Sequence, residues 1–314
     1  MKLTISAVRG ELDSSMGHSG AVNATDMIAA VNASVDGKWA IERRFAGGSN
    51  EGAYLVCTPE GARAVLKWRA SEPERLIAAS PLVEFARKQG WPTPEWYAVG
   101  RAPTGEAWIL QEFIDGSQPP TIDRHVADQL VEIFKIQSGL MIQSGQTPAA
   151  HAVWREWITG IMFDDWEGLR ARVYPLPGGE RIVQGVDAIA ERCGGEQLSG
   201  RDLVHGDFNL TNTLTTAQGL WFIDVEALGA GPSVYDLAKT LIVAGIFGHA
   251  TDAGLRRLWS YGETFDPREF AICAGSGALK IAEGVVRHNL YAVAPEFLGK
   301  ISIFLDRVRR LISA

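Results

Sequence analysis

Three oxygen-bearing side chains, Asp207, Asn212 and Asp224, carry the chemical signal of this chain through their types and spacing. The first two stand in His205-Gly206-Asp207-Phe208-Asn209-Leu210-Thr211-Asn212. The third follows a Thr216-Ala217-Gln218-Gly219 turn, in Trp221-Phe222-Ile223-Asp224-Val225-Glu226. Transfer of a phosphoryl group needs a carboxylate to orient the attacking hydroxyl and accept its proton. It also needs hard oxygen ligands to hold Mg²⁺ on the phosphates. The step from Asp207 to Asn212 fits a loop that presents both side chains to one cleft, and a hairpin then returns Asp224 beside them. Asp and Asn also favour turns for their own sake, because they hydrogen-bond their own backbone. Asp224 weighs against that plain reading: it ends the apolar run Leu220 to Ile223, where a buried charge is costly unless it meets a metal or a partner.

The elements that must position these residues divide the chain. Residues 1–22 mix Ser, Gly, Met and His without a period and read as a loosely ordered lead-in. Strand patterns then run over Trp39 to Phe45, Ala53 to Thr58, Ala64 to Trp68, Trp96 to Gly100 and Ala107 to Phe113. One helix is expected from about Pro73 to Gln89, broken near Ser80-Pro81 because proline removes a donor and clashes with the preceding turn. This makes an antiparallel five-stranded sheet with one helix over residues 23–116. The remainder, 117–314, reads mainly as helix around the loop-and-strand island that holds Asp207 and Asp224. Val126, Leu130, Ile133, Phe134 and Leu140 share a helical face, as do Phe297, Ile301, Leu305, Val308 and Ile312. Asp266-Pro267-Arg268-Glu269 has the cap, proline and acidic residue of a helix start.

Composition narrows the partners. With 314 residues, 46% apolar and 21% charged, the chain is long enough for two cores and is an ordinary globular protein. A net charge of -7 argues against nucleic acid, which calls for a basic footprint. Cys57, Cys193 and Cys273 form neither a disulfide framework nor a metal motif. Without a leader-like or membrane-spanning apolar run, the expected location is the cytoplasm.

His205 to Asn212 resembles the catalytic-loop motif of the aminoglycoside phosphotransferase and choline kinase family, whose fold is the protein-kinase fold. Ile223-Asp224-Val225-Glu226 is similar to that family's metal-binding Ile-Asp-x-Glu, and Gly231-Pro232-Ser233-Val234-Tyr235-Asp236-Leu237-Ala238 to its Gly-x-Pro-x-x-Asp-Leu-Ala segment. The resemblance implies an α+β, two-lobed fold with a hinge near residues 112 to 118 and a cytoplasmic kinase of small molecules, using ATP or GTP with Mg²⁺. Asp207 is then the catalytic base, Asn212 and Asp224 are the metal ligands, Asp236 braces the catalytic loop and His205 packs it. Asp236 read by itself is an N-cap for the apolar stretch Leu237 to Phe247.

The same resemblance turns the N-terminal lobe into a nucleotide site. Lys67, in the otherwise apolar Ala64-Val65-Leu66-Lys67-Trp68, is an ammonium that needs an anionic partner unless it lies on a solvent face. In the kinase fold that lysine grips the α- and β-phosphates and pairs with a glutamate of the next helix, here Glu84 or Glu74. Glycine removes the Cβ obstacle in Gly47-Gly48-Ser49-Asn50, which resembles the family's nucleotide loop with Ser49 in reach of a phosphate. Main-chain groups near Glu112 and Phe113 would hold the base. Asn209 occupies the place where protein kinases usually have lysine, and no Ala-Pro-Glu follows Asp224; both weigh against a protein substrate. The expected acceptor is a hydroxyl of a small, cationic, antibiotic-like molecule. The carboxylates at Asp164, Asp165, Glu167, Asp252, Glu263, Asp266 and Glu283 motivate its charge. A metabolite kinase or a non-catalytic nucleotide-binding pseudokinase are the alternatives.

Overall fold

The computed structural model describes residues 23–45, 52–144, 152–194, 198–292 and 294–313. The lead-in 1–22 and the loop residues Gly47, Gly48, Ser49 and Asn50 lie outside the described residues. Two compact units emerge: Met1–Arg87 with Pro94–Asp115, and Lys88–Thr93 with Gly116–Ala314.

The first unit is built on five strands, β1 (Ala40–Arg44), β2 (Ala53–Cys57), β3 (Arg63–Arg69), β4 (Trp96–Arg101) and β5 (Ala107–Glu112). They pair antiparallel in the order β1-β2-β3-β5-β4. The internal strand β5 is buried along Ala107 to Gln111, as expected where both faces are covered. On one face Ala64, Leu66 and Trp68 of β3 pack with Met27 and Val31 of α1 (Ala24–Ser34). The other face carries Ile109, which packs with Leu76 and Ile77 of α2 (Pro73–Lys88).

The expected single helix is therefore joined by another. α1 is capped by Asn23, whose side chain accepts from Asp26 N–H, but it buries only Met27 and Val31. Its helical state rests on the sheet it covers, which no local pattern reveals. The expected break in α2 does not occur either: the helix runs through Pro81. Pro81 sits on the exposed side, while Ala79, Leu82, Val83 and Ala86 are buried and hold both halves in place. That packing offsets the roughly 3 kcal/mol that proline costs inside a helix.

The second unit contains α3 (Arg124–Gln137), α4 (Leu140–Ser144), α5 (Trp154–Phe163), α6 (Leu169–Val173), α7 (Gly179–Cys193), α8 (Val234–Phe247), α9 (Asp252–Gly262), α10 (Pro267–Arg287) and α11 (Ala294–Leu311). Nearly all of α10 from Phe270 to Leu279 is buried, which makes it the central helix, packed against α5, α6, α7, α8 and α11. Asp266 caps α10 as expected, accepting from the N–H groups of Arg268 and Glu269. The apolar series from Val126 to Leu140 is not one helix. Gly139 takes the left-handed conformation at φ 69° and gives its N–H to Asp202 Oδ1 at 2.7 Å, so Leu140 begins α4.

Short strands β6 (Ala152–Val153), β7 (Asp202–Val204) and β10 (Gly229–Gly231) form a sheet in the order β6-β10-β7. β8 (Thr213–Thr216) and β9 (Gly219–Phe222) form the expected hairpin. No helix among the described residues is long and apolar enough to cross a membrane.

Candidate active site

β7 delivers the chain into a loop whose conformation is set by buried polar groups. His205 is fully buried, and its ring is wedged among Trp91, Phe208 and Phe222. Nδ1 accepts from the N–H of Asp207 at 3.2 Å, which leaves Nε2 to donate to the carbonyl of Ile223, also at 3.2 Å. His205 thus ties the Asp207 loop to the residue before Asp224 and has the expected packing role. Gly206 has φ 81°, and a Cβ there would run into the Trp154 ring, so no other residue fits.

A short turn, Leu210–Asn212, then presents Asn212. Asn209 caps it, its Oδ1 accepting from the N–H groups of Thr211 at 2.9 Å and Asn212 at 3.2 Å. The Nδ2 of Asn212 donates to the main-chain carbonyl and to Oδ2 of Asp207, both at 3.0 Å, so these two predicted side chains do meet. The N–H of Ile223 donates to the carbonyl of Asn212 at 2.9 Å, bringing Asp224 next to them along the chain. Asp224 is half-buried with φ 61°, a left-handed conformation that Asp tolerates at some cost. Its carboxylate and the amide oxygen of Asn212 are both hard oxygen donors, the kind of set that suits Mg²⁺.

Asp236 is not an N-cap. Ser233 holds that position, and Asp236 lies inside the first turn of α8, fully buried. Its carboxylate accepts from His205 N–H at 2.7 Å, Gly206 N–H at 2.9 Å and Gln137 Nε2 at 3.0 Å. It is a brace for the loop. Burial pushes its carboxyl above the ordinary range, partly offset by the neighbouring His205 and by those three donors.

Asp207 itself is open, with 62% of its side chain exposed. Burial on its loop side pushes the carboxyl up, but Lys239, His205 and the hydrogen bonds from Asn212 and Lys239 outweigh this and hold it below its ordinary value.

Of the described residues expected to bind nucleotide, Lys67 and Glu112 lie on the sheet of the first unit and Glu84 on α2. Lys67 on β3 stands in register with Ile109, so it lies on the face that α2 covers, away from the α1 core. Glu74 is bound to Arg101 at 2.5 Å, and Glu84 lies on the exposed side of α2. Glu112 ends β5, and its N–H is taken by the carbonyl of Glu95 at 2.7 Å. Phe113 follows the strand, with the Arg63 guanidinium 4.2 Å from its ring centre and Phe45 stacked at 6.4 Å.

The profile of the phosphotransferase enzyme family APH matches residues 42–273, which span the sheet of the first unit and the loop, brace and helices of the second. The chain belongs to the phosphotransferase enzyme family. It is an enzyme that transfers a phosphoryl group to an alcohol, on a protein-kinase-like fold. Among solved structures this phosphotransferase resembles aminoglycoside phosphotransferase APH(4)-Ia, at 17% identity and TM-score 0.64 over 92% of this chain and 99% of that one. It also resembles amicoumacin kinase hAmiN, at 13% identity and TM-score 0.61 over 86% and 87% of the two chains. A third likeness is to an aminoglycoside phosphotransferase from Alicyclobacillus acidocaldarius, at 15% identity and TM-score 0.58 over 96% and 99%. No curated protein matches it by sequence.

Sequence reasoning missed two features of the phosphotransferase loop. Trp154 closes over Gly206 and donates Nε1–H to the carbonyl of Ala227 at 2.9 Å, a contact from far away in the chain. Lys239 reaches the same loop from α8; its position three residues after Asp236 puts both on one helix face, a signal that was available.

Proposed function

We propose that this phosphotransferase moves the γ-phosphoryl group of ATP or GTP to a hydroxyl of a small antibiotic-like acceptor. The observation that carries this reading is the joined pair Asp207 and Asn212, backed by Asp236 and followed by Asp224, in a chain of this family. Asp207 orients the hydroxyl and takes its proton as the acceptor oxygen bonds to phosphorus and the β,γ-bridging oxygen leaves with the diphosphate. Asn212 and Asp224 would hold Mg²⁺, which supplies charge neutralisation at the phosphates. The sheet unit takes the nucleotide through residues 47 to 50, Lys67 supported by Glu84, and main-chain groups at Glu112 and Phe113. Of those two residues, Phe113 is favoured, because the N–H of Glu112 is already bonded.

Neighbouring structures support either nucleotide and an antibiotic acceptor: the amicoumacin kinase is a complex with AMP-PNP and Ca²⁺, an APH(4)-Ia variant one with ADP and hygromycin B, and aminoglycoside 2'-phosphotransferase-IIIa one with GDP. The cationic character of the acceptor has a narrower base than the sequence suggested. Asp165 is engaged by Arg170 at 3.4 Å, Glu167 by Lys280 at 2.6 Å, and the buried Glu283 by Arg172 and Arg287 at 3.5 and 3.0 Å. Asp164 lines an open depression of about 490 Å³ together with Arg155, Glu156 and Trp166. An uncharged polar metabolite is the second reading, favoured by that internal pairing. Free cysteines fit a reducing cytoplasm.

The test is release of ADP and GDP, with Mg²⁺, against aminoglycosides, amicoumacin-like peptides, amino alcohols and neutral sugars at two salt concentrations. Amine-bearing antibiotics should turn over best, and faster at low salt. Turnover of neutral sugars alone would overturn the cationic acceptor, and no turnover of any compound would overturn the kinase reading.

A further inference from the structure

We propose that Lys239 is a positioning residue for phosphoryl transfer: from α8 it fixes the peptide that carries Asp207 and supplies, beside the acceptor hydroxyl, a cation that the catalytic loop itself lacks. This rests on the reading of Asp207 given above.

The Nζ of Lys239 lies 2.6 Å from the carbonyl oxygen of Gly206 and 3.4 Å from Oδ1 of Asp207. Asp236, one helical turn earlier, accepts the N–H of Gly206 at 2.9 Å. One helix face thus grips Gly206 at both of its main-chain polar groups. Gly206 has φ 81° and no side chain to hold it, so its conformation depends on what its main chain meets. The lysine side chain is only 13% exposed, and a largely buried ammonium is retained at a cost unless its donors are used.

The Asp207 carboxylate is divided between two neighbours. Oδ2 takes the Asn212 bond at 3.0 Å, whereas among the described residues Oδ1 has two long contacts of 3.4 Å, from Lys239 and from Asn209 Nδ2. Oδ1 is therefore the oxygen available to an acceptor hydroxyl, and the ammonium stands next to it. During transfer an anionic phosphoryl group approaches a carboxylate, and a fixed cation at that point offsets their repulsion. Asn209 cannot supply that charge, because it is an amide committed to capping the turn. The ammonium exchanges no proton in the step: the hydroxyl proton goes to Asp207 and then to solvent.

A lysine that merely stabilises the fold would show the same contacts, so the test must separate the two. The probe is release of nucleoside diphosphate from ATP or GTP with Mg²⁺ in single turnover, with water standing in for the acceptor. Nucleotide affinity and the folded fraction are measured alongside. Lys239→Met is expected to slow turnover about a hundredfold, with unchanged nucleotide affinity, and Lys239→Arg to recover part of it. Lys239→Gln keeps a donor for the Gly206 carbonyl without the charge, and is expected to fold and remain slow. The double variant with Asp207→Asn should be no slower than Asp207→Asn alone, because the lysine acts through that carboxylate. Full activity of Lys239→Gln, or a double variant whose losses multiply, would overturn the proposal. If Asp207→Asn is itself fully active, the reading of Asp207 falls and this inference with it. An inactive Asp207→Asn beside an active Lys239→Gln sinks this inference alone.

Discussion

The carboxylate of Asp236 accepts the main-chain N–H of His205 at 2.7 Å, across 31 positions of sequence and in a fully buried setting. This bond, with its companion to Gly206, makes the Asp207 loop an extension of α8. Replacing Asp236 by Ala would strand the two main-chain donors and the Gln137 amide without acceptors. Each such buried group costs about 1–3 kcal/mol. Asp236→Ala should lose about 3 kcal/mol or more in urea unfolding, and Asp236→Asn, which keeps an acceptor oxygen, distinctly less. Equal stability of Asp236→Ala and the parent would show that the loop holds itself.

The thiols report on the helical core. Burial pushes the Cys273 thiol well above its ordinary value, and the negative charges of Glu269, Asp236 and Asp202 add to the effect. Cys193 is also buried, whereas Cys57 on β2 is partly open. In the folded protein at pH 8 a maleimide should modify Cys57 alone, and Cys193 and Cys273 only after denaturant is added. Prompt labelling of all three, followed by mass spectrometry, would contradict the packing of α10.

Local patterns made much of this molecule readable. The strands β2, β3 and β5 carry apolar runs as the sheet needs, and His205 to Asn212 with Asp224 sit within one loop and one hairpin, so their proximity is a matter of short chain. What escaped depends on distant partners. α1 and the passage of α2 through Pro81 are supported by the sheet beneath them. β10, Gly-Ala-Gly, has no strand pattern and exists because β6 and β7 flank it. Asp236 looked like a cap because a carboxylate ahead of an apolar run usually is one; its donors come instead from the loop 30 residues upstream.

Asp224 should separate metal binding from nucleotide binding. If its carboxylate and the Asn212 amide oxygen hold Mg²⁺, then Asp224→Ala weakens the Mg-nucleotide complex by at least about tenfold and nucleotide alone very little. Paired titrations with Mg²⁺ and with a chelator measure this directly. Equal losses in the two would mark Asp224 as a structural carboxylate.

The central claim is that Asp207 serves the acceptor hydroxyl and not the nucleotide. Single-turnover transfer by Asp207→Asn, alongside its Mg-nucleotide affinity, tests it most directly. The amide cannot accept the proton, so transfer should fall by about a hundredfold or more while nucleotide affinity stays near that of the parent. Transfer at the parent's rate, or a loss traced wholly to weaker nucleotide binding, would contradict the account.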